Sequence, residues 1–177
     1  MKKLLILIIP TAMVGLISCN QVPSVNNAMG DKNKATVDKY IQAAITGDSE
    51  TMGGYLADNY KGYGPSVKDS ADRAKAIADW KTSWDSTFSS IKYTRYEAQA
   101  INIATGQNKG DWVLEWGNVA ASYKNGMPSV TFSFHGAYRL ETDKIVFSVV
   151  YYNVADILTQ QGFTFVPPGD KKADAGK

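Results

Sequence analysis

The sequence has little of what most catalytic and metal centres need. Among its 177 residues there is one cysteine, Cys19, and one histidine, His135. A single cysteine excludes a disulfide within the chain. A lone histidine without a cysteine cluster or a second histidine at ligand spacing predicts no metal site. The chain also lacks a Gly-rich phosphate loop, a Gly-x-Ser-x-Gly elbow and a Walker-type lysine, so we expect no cofactor.

The chain also lacks an excess of charge of either sign. Lys and Arg total 19, and Asp and Glu total 17. Removal of Lys2 and Lys3 with a cleaved leader would make the two totals equal. Because no basic stripe remains, we do not expect the chain to bind nucleic acid or to reach a membrane through a polybasic surface.

The N-terminus is predicted to be an export signal rather than part of the fold. Two lysines precede an apolar run over residues 4–17, which is shorter than the roughly 20 residues of a membrane span and fits a secretory signal peptide. The stretch Leu-Ile-Ser-Cys at residues 16–19 resembles the lipobox of bacterial lipoproteins. That resemblance implies a signal peptide over residues 1–18 and lipid on the sulfur and the amine of Cys19.

Two alternatives remain for this segment: a soluble secreted protein with a free cysteine, and an uncleaved anchor. For a lipoprotein the membrane is a partner, held through acyl chains whose buried methylenes each contribute about 0.8 kcal/mol. No acidic run follows Cys19, which favours the periplasmic side of a cell-envelope membrane, and we expect the outer membrane. Residues 19–32 are then a polar tether, 33–166 one compact domain and 167–177 a flexible tail.

The spacing of apolar residues divides the domain into helices followed by strands. Helical spacing predicts a first helix over residues 34–46 that ends at Gly47, a short second helix from residue 48 or 49, and a third from residue 69 or 70. From residue 91 the period becomes two. Strands are predicted over residues 91–105, 112–124, 128–141 and 145–154. Three helices followed by a meander of long antiparallel strands form an α+β layer fold.

Two tight turns predict which side chains share a face of the sheet. A two-residue turn at Asn125-Gly126, the strongest short hairpin signal, pairs Trp116 with His135. A two-residue turn at Thr142-Asp143 pairs Phe134 with Tyr151. One face is then nearly all apolar and is predicted to lie under the helices, whereas the other is mixed and faces solvent or a partner subunit. The inner face would hold Val113, Glu115, Gly117, Val119, Phe132, Phe134, Tyr138, Leu140, Ile145, Phe147, Val149, Tyr151 and Asn153. A single β-bulge would exchange part of this assignment.

The order of these elements resembles the SnoaL-like branch of the nuclear transport factor 2-like superfamily. The matching pieces are the opening Tyr40-Ile41-x-Ala43-x-x-x-Gly47-Asp48, the turn 143–145, the pair Tyr151-Tyr152 and the ending Gln160-x-Gly162. The resemblance implies a cone in which a curved antiparallel sheet packs against three N-terminal helices and a short C-terminal helix around a pocket. Some members are ketosteroid isomerases, dehydratases or polyketide cyclases that use a pocket carboxylate as base. Others only bind small molecules or act as assembly domains.

Glu115 is the candidate ionisable group of that pocket. It is predicted to lie on the apolar face opposite Gly136, which leaves room beside it, and burial there would raise its pKa as a general acid or base needs. Alternatively, a bulge turns it outward, or it pairs with a nearby Lys or Arg. The other pocket candidates come from the third helix and the inner face: Trp80, Trp84, Phe134, Tyr138, Tyr151 and Asn153. The simpler interpretation of the two tryptophans is that they belong to a core packed on the sheet.

Three further polar residues are considered as possible catalytic groups. His135 is predicted to be a surface or interface residue, and it becomes an acid/base partner only if a bulge reverses its face. Asn153 stands where the family often has Asp, and an amide does not ionise, which puts family-type acid/base chemistry in doubt. Asp156 follows at the start of the last helix, where a carboxylate suits the helix N-terminus without any catalytic role.

The sequence therefore favours a non-catalytic, lipid-anchored periplasmic domain that binds a small, largely apolar molecule or a protein partner. The alternative is a ketosteroid-isomerase-like or polyketide-cyclase-like enzyme that acts through Glu115 or His135 with Tyr138 or Tyr151. A third possibility is a homodimer formed through the face that carries Trp116, Val150 and Tyr152.

Overall fold

The structure is a computed structural model, and it describes residues 27–166. Its elements are α1 (Asn27–Ile45), α2 (Ser49–Gly54), β1 (Leu56–Tyr63), β2 (Ser70–Asp72), α3 (Arg73–Ser86), β3 (Phe88–Ile103), β4 (Gly110–Tyr123), β5 (Val130–Glu141), β6 (Lys144–Tyr152) and α4 (Val154–Gln160). The predicted α+β class is confirmed. The predicted signal peptide, Cys19 and the tail 167–177 lie outside the described residues. Within residues 27–166, none of the helices has the length and apolar character to cross a membrane.

Helix α1 begins earlier than the sequence predicted. It starts at Asn27 rather than near residue 34, so residues 27–32, which were assigned to the tether, are helical. Gly30 and Asn33 are buried in this first part of the helix, and Lys32 forms an ion pair with Asp143 at 2.6 Å. Tertiary packing therefore extends the helix through a stretch whose own helix propensity is low.

Two tryptophans of α3 are hydrogen-bonded to the C-terminal end of α1. The indole N–H groups of Trp80 and Trp84 both donate to the carbonyl oxygen of Ala44, each at 2.7 Å. Gly47 ends the helix with a φ of 80°, and the ring of Trp84 lies so close that a Cβ there would be 3.0 Å from it. These contacts add to the bond that the same carbonyl accepts from the N–H of Gly47 at 3.1 Å, so the last turn of the helix is held to α3.

The six strands form one sheet in the order β2-β1-β6-β5-β4-β3. The antiparallel meander from β3 to β6 is confirmed. The sequence predicted only a short extended piece near residues 60–65, but β1 begins at Leu56 and runs parallel to β6. The pairing starts where Ile145 N–H donates to the carbonyl of Tyr55 at 2.9 Å.

The register between β4 and β5 is the predicted one, with Trp116 opposite His135 and Glu115 opposite Gly136. The two-residue turn at Thr142-Asp143 is also confirmed, since Glu141 pairs with Lys144. Both turn residues have positive φ, 49° and 65°, as a type I′ hairpin turn requires.

Beyond that turn the predicted register is wrong because β6 contains an irregularity. The register shifts between Arg139 and Leu140, so Phe134 pairs with Tyr152 and Tyr138 with Ser148. The shift lies where Ile145 and Val146 are both buried, which strict alternation in a one-sided sheet does not allow. Side chains predicted to face outward therefore turn inward: Ser148, Val150 and Tyr152. The reverse holds for Phe147, Val149 and Tyr151.

A second irregularity bends β3. The register shifts between Thr94 and Glu97, and Arg95 has a φ of 50°. Gly117 on β4 accommodates it, because a Cβ there would lie 3.0 Å from the carbonyl oxygen of Arg95. Bulges of this kind increase the local twist and bend of a strand. The main core lies between α1 and the sheet: Val37, Ile41, Leu56, Tyr60, Val113, Tyr138, Leu140 and Ile145.

The turn at Thr142 gives a test of the hairpin that fixes β6. A β-branched residue with positive φ is strained, at a cost of roughly 1–2 kcal/mol, whereas Asn adopts this conformation readily. We expect Thr142→Asn to raise the free energy of unfolding by about 0.5–1 kcal/mol in urea denaturation. The same exchange at exposed Thr82 in α3 should give no gain, and an equal gain at both positions would contradict this interpretation of the turn.

Candidate functional site

A cavity of about 430 Å³ lies between α1, Trp80 of α3 and the concave face of the sheet. Its volume falls within the range of small-molecule sites. The buried part of its wall comes mainly from α1, β3 and β5 and includes Tyr40, Tyr93, Phe134 and Tyr138. The more exposed part includes Phe132, Tyr152, Val154 and Ile157. The beginning of α4 thus contributes to the outer end of the cavity.

The wall is apolar with a few hydroxyl groups. The lining residues that carry a polar side-chain group, within the described part of the chain, are five tyrosines, Tyr40, Tyr93, Tyr123, Tyr138 and Tyr152, and Trp80 with its indole N–H. That indole donates to Ala44. No carboxylate, imidazole or ammonium group from residues 27–166 lines the cavity. Over the same residues, no three His, Cys, Asp or Glu side chains gather as a metal centre requires.

Glu115 lies directly behind this wall. Its side chain is 0% exposed, and Gly136 on β5 makes room for it, since a Cβ at that position would lie 2.7 Å from Oε1. The hydroxyl of Tyr138 donates to Oε1 at 2.5 Å, while Oε2 has no hydrogen-bond partner among the described residues. The ring of Tyr138 therefore lines the cavity, while its hydroxyl is hydrogen-bonded to the buried carboxyl of Glu115 behind the wall.

Burial controls the protonation of this carboxyl. Desolvation raises the pKa of Glu115 from its ordinary 4.5 to about 7; the hydroxyls of Tyr138 and Tyr96 oppose the rise, and the charge of Asp38 adds to it. Burial also raises the pKa of Tyr138 well above its ordinary value, and the charge of Glu115 adds to that shift. At neutral pH the tyrosine is therefore a neutral donor, whereas Glu115 lies near the midpoint of its titration.

A second tyrosine flanks Glu115 on the other side. Ala98 of β3 pairs directly with Glu115, and Tyr96 lies two residues earlier on the same strand face. The hydroxyl of Tyr96 is close enough to the Glu115 carboxyl to affect its pKa, and it donates to Asp38 Oδ1 on α1 at 2.7 Å. Glu115 thus lies between Tyr138 of the cavity wall and Tyr96, which is hydrogen-bonded to the exposed carboxylate of Asp38.

The structure places three of the predicted pocket residues on the cavity wall: Trp80, Phe134 and Tyr138. Glu115 is inward-facing as predicted but lies behind the wall. Trp84 does not line the cavity; it packs against Gly47 and Phe88. Whether any of these residues binds a ligand stays a prediction.

The other predicted site residues lie away from the cavity. The inward placement of Tyr151 was wrong, because the β6 irregularity leaves it 55% exposed opposite His135 on the outer face. His135 itself is exposed, so no bulge brings it to the cavity. Asn153 was also predicted to face inward, but its side chain caps α4 by accepting the N–H of Asp156 at 3.1 Å. Asp156 lies in the first turn of that helix.

Sequence reasoning missed several wall residues for identifiable reasons. Val150 and Tyr152 were assigned to the outer face because the β6 irregularity has no sequence signal. Tyr40 was part of the apolar stripe of α1 and was interpreted as core. Tyr93 lies on β3, whose faces the two hairpin turns did not determine. The apolar spacing of Val154 and Ile157 in α4 is the signal that could have placed the last helix over the cavity.

Comparison with known proteins identifies the type of domain. The family model described as SnoaL-like domain matches residues 34–153, which is more than half of the chain. No curated protein sequence matches the chain significantly.

Solved structures share the fold at low sequence identity. An LEH-like epoxide hydrolase from M. tuberculosis superposes with a TM-score of 0.55 at 16% identity, covering 75% of this chain and 91% of that one. A candidate polyketide cyclase from Silicibacter sp. gives 0.60 at 17%, covering 74% and 96%. An NTF2-like protein of unknown function from Burkholderia pseudomallei gives 0.59 at 16%, covering 75% and 98%. These similarities confirm the predicted cone-shaped fold.

The fit of Glu115 against Gly136 can be tested by adding one methyl group. In Gly136→Ala the new Cβ would lie 2.7 Å from Glu115 Oε1 and 2.9 Å from Tyr138 Cε2, so we expect a loss of about 1–3 kcal/mol in the free energy of unfolding. Gly54→Ala is the matched control, because a Cβ there meets no atom of the described residues within 4 Å. Equal stability of the two variants in urea denaturation would refute the tight fit.

The raised pKa of Glu115 predicts how stability depends on pH. Because the folded pKa of about 7 exceeds the ordinary 4.5, the stabilising contribution is complete below about pH 4.5 and is lost as the pH rises to about 7. We expect the free energy of unfolding of the wild type, measured relative to Glu115→Gln, to fall by roughly 3 kcal/mol across this window and to level off above it. Parallel pH profiles for the two proteins would show that Glu115 titrates normally.

Proposed function

We propose that this chain, which belongs to the SnoaL-like domain family, binds a small, largely apolar molecule inside its cone without converting it. The observation that carries the proposal is the cavity of about 430 Å³, whose wall is aromatic and aliphatic apart from tyrosine hydroxyls and the indole of Trp80. Burial of apolar ligand surface against such a wall contributes about 25 cal/mol per Å². No ionisable carboxyl or imidazole of residues 27–166 lies on the wall, which supports binding over catalysis.

The wall also indicates what polar character the ligand has. Tyr138 donates its hydroxyl proton to Glu115 behind the wall, so it presents its ring to a ligand. Tyr40 and Tyr93, both half-buried, are further tyrosines of the wall that can supply a hydroxyl. A ligand with a mostly hydrocarbon body and one or two polar groups satisfies such a site, whereas a charged ligand would lose its hydration without a compensating ion pair.

A second candidate function is acid/base catalysis of the ketosteroid-isomerase or polyketide-cyclase type. The observation in its favour is that Tyr138 joins the cavity to Glu115, whose pKa of about 7 suits a general acid or base. Glu115 does not reach the cavity, so it would have to act through the Tyr138 hydroxyl. The epoxide hydrolase and the polyketide cyclase candidate among the similar structures support only the fold, because their identity to this chain is low.

The cellular context stays a proposal that the sequence supports. A lipid anchor at Cys19, reached through a polar tether, would hold the domain on the periplasmic side of the outer membrane. The homodimer interface predicted on the outer face of the sheet loses two of its three residues, because Val150 and Tyr152 line the cavity instead. Trp116 and Tyr151, 38% and 55% exposed, are two aromatic residues that this face presents.

Ligand binding can be tested with a matched pair of adjacent alanines. Ala121 is buried and lines the cavity, whereas Ala120 belongs to the opposite face of β4. We expect Ala121→Leu to weaken binding of the uncharged fluorescent probe N-phenyl-1-naphthylamine at least tenfold, because the larger side chain occupies the ligand space, and Ala120→Leu to leave it unchanged. Fluorescence titration of the purified protein measures both. A wild-type protein that does not bind the probe, or equal binding by both variants, would contradict the proposal.

A further inference from the structure

Helix α4 covers the outer end of the cavity without being packed into the core. Its Val154 and Ile157 line the cavity, but neither belongs to the clusters of apolar side chains that make up the core. No residue of α4 is buried, whereas α1 buries Val37 and Ile41. Apolar packing therefore holds α4 against the sheet less firmly than it holds α1.

The two ends of α4 are closed by groups of the same segment. At the start, the side chain of Asn153 accepts the N–H of Asp156 at 3.1 Å. At the end, the N–H of Phe163 donates to the carbonyl oxygen of Leu158 at 3.0 Å, and Gly162 has a φ of 91°. This bond and the left-handed glycine are those of a Schellman motif. The described caps of the helix thus lie within residues 153–163 and do not involve the sheet.

Strand β5 has an open edge beside this helix. β5 begins at Val130 and pairs with β4 from that residue onwards. Its pairing with β6 begins only at Phe134, opposite Tyr152. The first residues of β5 therefore have a neighbouring strand on one side, and the backbone groups on the other side need a different partner.

The side-chain amide of Gln160 is that partner. Its Oε1 accepts the N–H of Thr131 and its Nε2 donates to the carbonyl oxygen of Thr131, both at 2.9 Å. These are the two bonds that a residue of a neighbouring antiparallel strand would exchange with Thr131. Nε2 gives its second hydrogen to Asp156 Oδ2 at 2.9 Å, which fixes the orientation of the amide. Within residues 27–166, the hydrogen bonds that join α4 to the sheet are the two to Thr131.

We propose that α4 is a lid over the cavity and that the contact of Gln160 with Thr131 holds it closed. In the open state the two bonds to Thr131 break and water replaces them, since both residues are exposed. Exchange of neutral protein hydrogen bonds for bonds to water changes the net free energy little. The caps of α4 remain formed, so the helix moves as a unit, and the strands keep their own pairing. The lid therefore opens far more often than the domain unfolds.

The lid gives a ligand its route into the cavity, a consequence that rests on the proposed binding function. Val154 and Ile157 gain apolar contact when a hydrocarbon lies against them, so a ligand favours the closed state through its higher affinity for that state. The ligand then enters and leaves through the open state. Loss of the contact between Gln160 and Thr131 should therefore speed both entry and release.

Gln160→Met tests the lid in the full chain without ligand. Methionine has a similar length and helix propensity but cannot form the two bonds to Thr131. Nuclear magnetic resonance measures hydrogen exchange of the Thr131 amide and relaxation dispersion of the Val154 and Ile157 methyl groups. We expect the amide to exchange at least tenfold faster than in the wild type and the methyl groups to report an increased population of the open state.

The matched control is Gln161→Met, which makes the same exchange at the C-cap of the helix, next to the contact. It should keep the wild-type amide exchange and methyl dispersion. Wild-type exchange at Thr131 in Gln160→Met, or equal effects of the two variants, would overturn the proposal. So would faster exchange at Thr131 with unchanged methyl dispersion, because Gln160 would then only complete the edge of β5.

Stopped-flow fluorescence with N-phenyl-1-naphthylamine connects the lid with ligand entry. We expect the association and dissociation rates of this probe to rise at least threefold in Gln160→Met and to stay at the wild-type values in Gln161→Met. Wild-type rates in both variants would overturn the lid as the entry route. A wild-type protein that does not bind the probe would contradict the proposed binding function alone, since the measurements without ligand decide whether α4 is a lid.

Discussion

The hydrogen bond from Tyr138 to Glu115 holds the buried end of the cavity in place. A carboxyl with no solvent exposure is tolerated only with a partner, and Tyr138 is the described residue that supplies one with a direct hydrogen bond. The bond in turn depends on Gly136, because a Cβ there would lie only 2.7 Å from Oε1. The ring of Tyr138 also packs edge-on against Tyr40 of α1, so the same tyrosine connects the helix to the sheet.

Two of the strand irregularities contribute to the shape around this centre. The shift in β3, accommodated by Gly117, bends the strand that carries Tyr93 and Tyr96. The shift in β6 turns Val150 and Tyr152 towards the helices and Tyr151 towards solvent. A flat sheet with strict alternation would pack closely against α1, because each inward side chain would meet the helix at the same depth. The bends hold part of the sheet away from the helix, and the cavity occupies the space between them.

The parts of this arrangement that the sequence predicts are those set by local signals. The Asn125-Gly126 turn and the period of two placed Glu115 opposite Gly136, since a short turn fixes register and alternation fixes the face. The β6 shift could not be located, because residues 145–147 are all apolar and carry no alternation to break. The pairing of β1 with β6 joins segments far apart in the chain and is parallel, so no turn predicts it. The cavity itself depends on the curvature of the sheet, and the types of residue in the strands do not reveal that curvature.

The position of Glu115 also explains how an apolar cavity and a group that titrates near neutral pH can coexist in one small domain. A carboxylate on the cavity wall would attract water and cations and would make the site unsuitable for a hydrocarbon. Behind the wall, the same carboxyl loses its hydration, and its pKa rises to about 7. Tyr138 then lies between the cavity and the carboxyl, with its ring on the wall and its hydroxyl on Glu115. Because burial raises the pKa of Tyr138 well above its ordinary value, the tyrosine stays neutral, so it adds no charge to the wall in either state of Glu115.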